Sequence, residues 1–153
     1  MHLMPIKPVA TDDEWQAAKA IRTAVFIEEQ DCPPDEEWDA YDVTSRHVLG
    51  LVEGSPVATA RWRPFSHDET IVAKLERFAV LRDYRGRGYG TALVEATLDN
   101  ARRSGFTTFL IHAQAHLEDW YATFGFRSTG RRFKEVGIPH VEMIVHDPAT
   151  ASA

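Results

Sequence analysis

The sequence predicts a mixed α/β fold, in which helices pack on the faces of a central sheet. Short runs of β-branched and aromatic residues alternate with segments of helical periodicity. The predicted order is a strand and a helix, a β-meander, a strand–helix–strand–helix run and two final strands, which is typical of this class. The length of 153 residues fits one domain. We predict that this domain covers residues 1–146, and that residues 147–153, which are small and polar, form a flexible tail.

The beginning of the chain predicts an edge strand, a helix and a loop. Residues 6–9 form a short apolar run. Thr11 and Glu14 have the spacing of a capping box, in which the hydroxyl caps the first turn and the carboxylate reaches back. The helix is predicted to extend to about residue 29, because apolar residues follow at helical spacing, namely Ala18, Ile21 and Val25. Pro33-Pro34 is predicted to end any helix and to open an acidic loop.

The remaining strands and helices are separated by clear turn signals. One helix is predicted to end at Gly105, and a shorter helical segment, residues 116–124, ends at Gly125. A turn at residues 137–139 is predicted to join the last two strands. The predicted strands after the first helix cover residues 47–52, 57–62, 71–81, 107–111, 126–133 and 141–145.

Composition excludes several classes of protein. The formal net charge of -6 argues against general nucleic-acid binding, which depends on basic surface. No apolar run approaches the length of about 20 residues that a membrane span needs, so no membrane association is predicted. The first residues do not have the pattern of a signal peptide. Cys32 is the single cysteine, so no internal disulfide can form, and we predict a cytoplasmic protein.

Residues 28–42 carry eight acidic side chains and no Lys or Arg. One interpretation is a solvated acidic loop, because runs of like charge usually face water. The other is an electrostatic funnel that attracts a cationic acceptor such as an amine. The sequence leaves both interpretations open.

A glycine-rich loop, Arg85-Gly86-Arg87-Gly88-Tyr89-Gly90, lies between a predicted strand and a predicted helix. Glycines let the backbone N–H groups turn towards one point, and the positive end of the helix adds to them, so the loop predicts an anion site. The arginines at 82, 85 and 87 suit phosphate oxygens, and a pyrophosphate is the natural ligand. The loop lacks the Lys of a P-loop and the third glycine of a Rossmann loop. The alternative is a glycine turn with incidental arginines.

These motifs resemble those of the GNAT superfamily of N-acetyltransferases. Arg85, Gly88 and Gly90 match its acetyl-CoA signature, Gln/Arg-x-x-Gly-x-Gly/Ala, and residues 75–80 have the composition of its cofactor-binding strand. A second signature, an aromatic pair followed by Gly-Phe, is present at residues 120–126. Three further segments are similar to the ElaA-like branch of that superfamily, namely residues 25–30, 112–115 and 137–140.

The resemblance implies a GNAT-like acyltransferase domain with a central twisted mixed sheet and a splayed strand pair that holds acetyl-CoA as the acyl donor. It implies that backbone groups of Phe78, Ala79 and Val80 pair with the pantetheine chain. It also implies that the loop binds the pyrophosphate through its backbone amides, over Arg85, Gly86, Arg87, Gly88, Tyr89, Gly90 and Thr91.

Acetyl transfer to an amine needs a base for the acceptor, a donor for the oxyanion and a proton source for the departing thiolate. Tyr121 occupies the tyrosine position of the second signature, so the resemblance implies that it is the acid; the alternative is a tyrosine that only packs the helix on the sheet. Glu76 lies in the strand before the loop, where some members of the family place a base. Burial of that strand would raise its pKa, whereas an ion pair with Arg61, Arg63 or Arg77 is the alternative.

Other residues are candidates for the acceptor end of the site. His112 ends a predicted strand and has a suitable unperturbed pKa, and His140 lies in a branch-like segment. We assign both, together with Glu29 and Gln30, to the acceptor; structural histidines and a water chain as base are the alternatives. The acidic surroundings of Cys32 argue against a thiolate nucleophile, and no metal site is expected.

The sequence therefore predicts an N-acetyltransferase that moves an acetyl group from acetyl-CoA to a primary amine of a small molecule or peptide by direct transfer. The alternative is an acyl-CoA-binding sensor or interaction module that has no turnover. Fold alone does not fix function, because the enzyme and the sensor module would share the same fold. They differ in whether Tyr121 and a base act on a substrate. Exposed sheet edges are compatible with a homodimer.

Overall fold

A seven-stranded mixed sheet forms the centre of the computed structural model, which describes residues 3–147. Its strand order is β1-β2-β3-β4-β5-β7-β6. Only β4 and β5 run parallel, and every other neighbouring pair is antiparallel. The strands are β1 (Ile6–Pro8), β2 (Arg46–Val52), β3 (Ser55–His67), β4 (Thr70–Val80), β5 (Thr108–Gln114), β6 (Arg127–Glu135) and β7 (Ile138–His146).

The α-helices are α1 (Asp12–Arg22), α2 (Pro34–Glu37), α3 (Tyr89–Arg103) and α4 (Glu118–Ala122). The predicted capping box is confirmed, because the Glu14 N–H donates to Thr11 Oγ1 at 3.1 Å and the Thr11 N–H donates to Glu14 Oε1 at 3.0 Å. The helical segment ends at Glu29 as predicted, but its last part, Thr23–Glu29, is π-helical. Within residues 3–147, no helix has the length and apolar character that crossing a membrane requires.

The bounds of several elements differ from the predicted ones. β3 continues to His67 because β4 pairs with it along its whole length. Pro34 does not open a loop as predicted but begins α2, since proline suits the first turn of a helix. The final turn consists of Val136 and Gly137, both with positive φ, and the next two residues already belong to β7.

The two main helices lie on opposite faces of the sheet. Apolar residues of α1 and its π-helical extension pack with Leu49 of β2, whereas Leu93 of α3 packs with Val48. Adjacent residues of a strand point to opposite faces, so the sheet is buried on both sides. At the end of β7, Asp147 is also held in place. Its N–H donates to the Thr107 carbonyl at 2.7 Å, whereas residues 148–153 of the predicted tail lie outside the described residues.

β4 and β5 separate shortly after they begin to pair. Their register comprises only three residue pairs, from Ala73↔Phe109 to Leu75↔Ile111. β4 then continues along β3, and β5 continues along β7, so the two strands splay apart. A bulge interrupts the pairing of β3 with β4 beside the splay, where Arg77 has a φ of 60°. The result is a gap between the end of β4 and the end of β5.

Two fully buried arginines tie the acidic stretch to the sheet. The Arg22 Nε and Nη1 atoms lie 2.6 Å from Glu37 Oε2 and 2.6 Å from Asp42 Oδ1. Arg61 Nη1 donates to Asp39 at 2.8 Å and to Asp42 at 2.6 Å. We call this group the arginine network; its members are Arg22, Arg61, Arg63, Arg77, Glu37, Asp39, Asp42 and Glu76.

Neither interpretation of the acidic stretch holds for the whole of it. Half of its acidic side chains are exposed, as a solvated loop would be, namely Glu28, Asp31, Asp35 and Glu36. The other half form ion pairs with arginines, namely Glu29, Glu37, Asp39 and Asp42. Because arginines of the protein itself neutralise the paired carboxylates, these carboxylates stabilise the fold and are not free to attract a cationic acceptor.

Replacing Arg22 by methionine tests the arginine network. The Arg22→Met variant leaves the buried Glu37 carboxylate without its closest cation, so we expect the free energy of unfolding to fall by about 3–5 kcal/mol. Arg103→Met is the matched control, because Arg103 is exposed and pairs with Asp99 on the helix surface, where a change of about 0–1 kcal/mol is expected. Urea unfolding measures both. Equal effects of the two substitutions would show that the network contributes no more than a surface ion pair.

Candidate active site

A cavity of about 580 Å³ fills the gap between β4 and β5. Its wall includes residues that the sequence assigned to the site on β4, β5, β7 and α4, among them Glu76, His112, His140 and Tyr121. Phe78, Arg85 and Gln30 also line it. Glu29, Ala79 and Val80 are not part of this wall, and neither is the loop beyond Arg85.

The glycine loop ends directly on the N-terminus of α3. Gly86 and Gly88 have φ angles of 76° and 84°, which side chains rarely adopt. A Cβ atom at either position would meet nothing within 4 Å, so there is room for a side chain. Glycine is therefore favoured by the backbone conformation and not by a lack of space. No side chain caps the start of α3. The loop and the helix end therefore present backbone amides and a positive dipole to one surface, as an anion site needs.

Arg85 is held by the protein itself. Its Nη atoms donate to both oxygens of Glu29 at 2.8 and 2.9 Å, and its Nε donates to the Val80 carbonyl at 2.8 Å. The bond to Arg85 lowers the pKa of Glu29. This arginine therefore links the loop, the end of β4 and the end of the π-helix. Glu29, predicted to face the acceptor, instead pairs with Arg85 and lies outside the cavity wall.

The three predicted cofactor-binding residues of β4 have different environments. Phe78 faces the cavity, and its ring lies 6.2 Å from that of Tyr121. The Ala79 side chain is buried against the α1 face of the sheet. The Val80 carbonyl already accepts the bond from Arg85. Beyond Leu75, β4 has no pairing with β5, so its edge is open to the cavity.

Tyr121 projects from α4 into an aromatic cluster at the cavity. Its ring lies 4.9 Å from Trp120 and 6.2 Å from Phe126, and only 7% of its surface is exposed. Burial raises the pKa of Tyr121, so its hydroxyl stays protonated at neutral pH. A buried, protonated phenol can donate a hydrogen bond or a proton to a group in the cavity.

Of the two alternatives for Glu76, the ion pair is confirmed and the near-neutral pKa is wrong. Burial acts to raise the pKa, but the charges of Arg61, Lys74 and Arg63 outweigh it and lower the pKa to about 2. Arg61 Nε donates to Glu76 Oε2 at 2.7 Å, whereas Arg77, one of the anticipated partners, pairs with Glu37 and Asp39. A carboxylate with this pKa is a weak base at neutral pH.

The residues assigned to the acceptor that line the cavity are two histidines and a glutamine. His140 Nδ1 lies 2.7 Å from the Ile138 carbonyl, and its ring stacks on Phe133. Gln30 Oε1 lies 3.5 Å from Gln114 Nε2, which connects the two walls of the cavity. His112 Nε2 lies 2.9 Å from Glu142 Oε2.

Glu142 is a site residue that sequence reasoning missed. Only 3% of its surface is exposed, although it is charged. The signal that could have revealed it is a single carboxylate inside an otherwise apolar strand, Val141 to Val145. Its partner could not be read from the sequence, because β7 pairs with β5 and not only with its hairpin neighbour β6.

Cys32 lines the cavity, and burial, followed by the charge of Glu37, raises the pKa of its thiol. The predicted rise in the pKa of Cys32 is confirmed, although burial contributes more to it than the acidic neighbours do. Across residues 3–147, no group of three or more His, Cys, Asp or Glu side chains is arranged to hold a metal ion.

Comparison with known proteins agrees with this geometry. Residues 45–146 match the family described as acetyltransferase (GNAT) domain. The chain belongs to the GNAT acetyltransferase family. This GNAT protein is 32% identical to the uncharacterized N-acetyltransferase YjcF of Bacillus subtilis over 142 residues, which cover 91% of this chain and 99% of YjcF. It is 35% identical to protein ElaA of Escherichia coli over 126 residues, which cover 80% of this chain and 81% of ElaA.

A solved structure supports the same assignment. The crystal structure of an acyl-CoA N-acyltransferase from Pseudomonas aeruginosa is 30% identical in sequence and superposes with a TM-score of 0.81, covering 94% of this chain and 99% of that chain. The mixed sheet with its splayed strands is therefore the GNAT fold, and this GNAT protein is an acyltransferase. The resemblance to the ElaA-like branch is confirmed.

Substitution of Gly88 tests whether the loop binds the donor. In Gly88→Ala, the left-handed conformation costs about 1–2 kcal/mol, so the loop either relaxes or stays strained. We expect the affinity for acetyl-CoA to fall roughly tenfold, which corresponds to about 1.4 kcal/mol. Isothermal titration calorimetry measures it.

Gly54→Ala is the matched control for this prediction. Gly54 has a φ of 82° and nothing within 4 Å of an added Cβ, but it lies in the turn between β2 and β3. The control should lose stability by the same strain and keep its affinity. If both variants bind acetyl-CoA as tightly as the wild type does, the glycine loop is not the phosphate site.

Proposed function

We propose that the protein transfers an acetyl group from acetyl-CoA directly to a primary amine of a small molecule or peptide. One observation carries the proposal: the buried Tyr121 lines the same strand gap as Arg85, the first residue of the glycine loop, and the open edge of β4 borders that gap. A binding site for an anionic carrier therefore adjoins a proton donor. We assign the reaction to residues 1–146 acting as one domain, and we place it in the cytoplasm, which suits the unpaired Cys32.

The residues at the gap fit the donor. The left-handed glycines and the uncapped end of α3 suit a pyrophosphate, and Arg87 adds exposed positive charge. The unpaired edge of β4 after Leu75 suits an extended chain that carries amide groups, because strand edges bind such chains by main-chain hydrogen bonds. Arg85 would support the loop through Glu29 and Val80 rather than bind phosphate with its whole guanidinium.

Direct transfer needs one group that accepts the proton of the amine and another that donates a proton to the departing thiolate. Acetyl-CoA supplies the acetyl group as a thioester. The hydroxyl of Tyr121, which lines the cavity, would deliver its proton to the departing thiolate. No metal is needed for these roles.

The acceptor would contact Gln30, His112 and His140, which line the cavity. Glu29 is not included, because it is bound to Arg85. Glu76 has its carboxylate engaged by three cations, so we propose a positioning role for it and not that of the base.

A CoA-release assay with a panel of amines tests the proposed function. The initial rate is measured with acetyl-CoA and polyamines, amino acids, aminoglycosides and basic peptides, with a protein blank for the Cys32 thiol. A rate that depends on the amine and exceeds hydrolysis supports the proposal and identifies the acceptor class. Tight acetyl-CoA binding with no amine-dependent rate across the panel would support a sensor module instead.

Replacing Tyr121 by phenylalanine tests the acid. Tyr121→Phe keeps the ring packing and removes the proton, so we expect kcat to fall about 10²-fold or more while acetyl-CoA affinity is retained. Tyr41→Phe is the control, because half of the Tyr41 surface is exposed. Its ring contacts Arg63, a contact that phenylalanine keeps, so kcat should not change. Steady-state kinetics and calorimetry measure the two effects. An unchanged kcat in Tyr121→Phe would assign Tyr121 to packing alone.

A further inference from the structure

A buried carboxylate behind the cavity accepts four hydrogen bonds. Glu142 Oε2 lies 2.9 Å from His112 Nε2 and 3.0 Å from Arg131 Nη1. Its Oε1 lies 3.1 Å from His67 Nε2 and 3.1 Å from Thr129 Oγ1. These bonds outweigh burial, which acts in the opposite direction, and lower the pKa of Glu142 to about 2. The carboxylate is therefore ionised and fixed in orientation.

The strand register sets the pairing of Glu142 with His112. The two residues are direct cross-strand partners on β5 and β7, so their side chains project from the same face of the sheet. His112 lines the cavity, whereas Glu142 does not. The Nε2 atom of His112 thus faces the carboxylate behind the wall. Phe65 and Phe133 fix the imidazole plane, with ring centroids 6.0 and 4.8 Å away.

This arrangement determines which nitrogen of His112 carries the proton. An ionised carboxylate only accepts hydrogen bonds, so Nε2 must hold the hydrogen that it donates to Glu142. The other nitrogen, Nδ1, is then an acceptor. Burial and the charge of Lys74 lower the pKa of His112, while Glu142 and Glu135 act in the opposite direction. At neutral pH the ring is neutral and can accept a proton.

We propose that His112 is the base that accepts the proton of the acceptor amine, and that Glu142 is the positioning residue that holds it in the reactive tautomer. The proposal rests on the proposed function. As the amine nitrogen forms its bond to the acetyl carbon and the carbon–sulfur bond breaks, one proton passes from nitrogen to His112 Nδ1. Another passes from the Tyr121 hydroxyl to the CoA thiolate, so charge and atoms balance. Glu142 stabilises the imidazolium that forms.

Other ionisable groups at the cavity are less suited to this role. Glu76 is bound by Arg61, Arg63 and Lys74 and has a pKa of about 2. His140 Nδ1 bonds to the Ile138 carbonyl, and its Nε2 lies 3.6 Å from Glu135. Among these three residues, only His112 has a carboxylate bonded to one ring nitrogen while the other nitrogen has no hydrogen-bond partner within residues 3–147, and it lies on the cavity wall.

Kinetics of three variants test the base, with an amine that the wild type acetylates. His112→Gln removes the base, and we expect kcat to fall about 10²-fold. Glu142→Gln should lower kcat about tenfold or more, because an amide can donate to Nε2 and favour the wrong tautomer. Glu142→Asp keeps the charge and should recover part of the loss. Glu118→Gln is the control, since Glu118 pairs with Arg132 away from the cavity wall and should leave kcat unchanged.

The pH dependence separates a base from a structural residue. The ratio of wild-type kcat to that of His112→Gln cancels the ionisation of the amine itself. This ratio should be constant at high pH and should fall as the pH drops through the pKa of His112, which lies below its usual 6.5. The charged groups around the ring are Lys74 on β4, Glu135 and Arg131 on β6, and Glu142 on β7. A pH-independent ratio would contradict the proposal.

Nitrogen NMR of histidine-labelled protein tests the tautomer without any acceptor. The His112 signals are identified by their loss in His112→Gln. In the wild type we expect the neutral form protonated at Nε2, and in Glu142→Gln a shift towards Nδ1–H. Acetyl-CoA affinity close to that of the wild type shows that each variant is folded.

The outcomes distinguish this inference from the proposed function. Amine-dependent transfer that persists in His112→Gln within about threefold of the wild type overturns the inference and leaves the proposed function intact. The absence of transfer in the wild type overturns the proposed function, and with it the role of His112 as base. A wild-type His112 protonated at Nδ1 contradicts the positioning role of Glu142, whatever the kinetics.

Discussion

The separation of β4 from β5 is the constraint on which the remaining structure depends. Parallel pairing that ends after three residue pairs leaves main-chain groups of a central strand without a strand partner on one side. Such a gap is costly in a sheet interior unless something else satisfies or shields it. The protein lines the gap with aromatic rings from α4, the side chain of Arg85 on the Val80 carbonyl, and charged groups from β3 and β4. The cavity is therefore the place where the sheet is incomplete.

The arginine network supports one wall of that cavity. The segment from Pro33 to Asp42 contains only two short helical turns, α2 and Ala40–Asp42, and contributes few apolar residues, so packing alone would not fix it. Buried arginines bind its carboxylates from two directions, Arg22 from α1 and Arg61 from β3. The charge of Arg61 also helps to keep Glu76 ionised at the cavity floor. Because Arg61 binds both the wall and the floor, ion pairs rather than a hydrophobic core hold this side of the site.

Local signals allowed much of the fold to be predicted, and long-range pairing explains what was missed. The capping box of Thr11 and Glu14 depends only on residues close to it along the chain, and so does the glycine loop. Both could therefore be predicted from the sequence. The pKa of Glu76 depends on Arg61, which is fifteen residues away and adjacent only because β3 pairs with β4. The partnership of His112 with Glu142 depends on strand order, because β7 inserts between β5 and β6. Periodicity predicts strands but not which of them become neighbours.

The insertion of β7 has a consequence for the order in which the molecule can be assembled. β7 follows every other described strand along the chain, yet it lies inside the sheet and pairs on both sides. During synthesis, β5 emerges more than twenty residues before the strand that covers its edge. Until β7 is made, β5 presents an unpaired edge, and the imidazole of His112 has no carboxylate behind it. A nascent chain can therefore complete the glycine loop and α3 early, whereas the cavity wall at His112 forms only when nearly all of the described chain has left the ribosome.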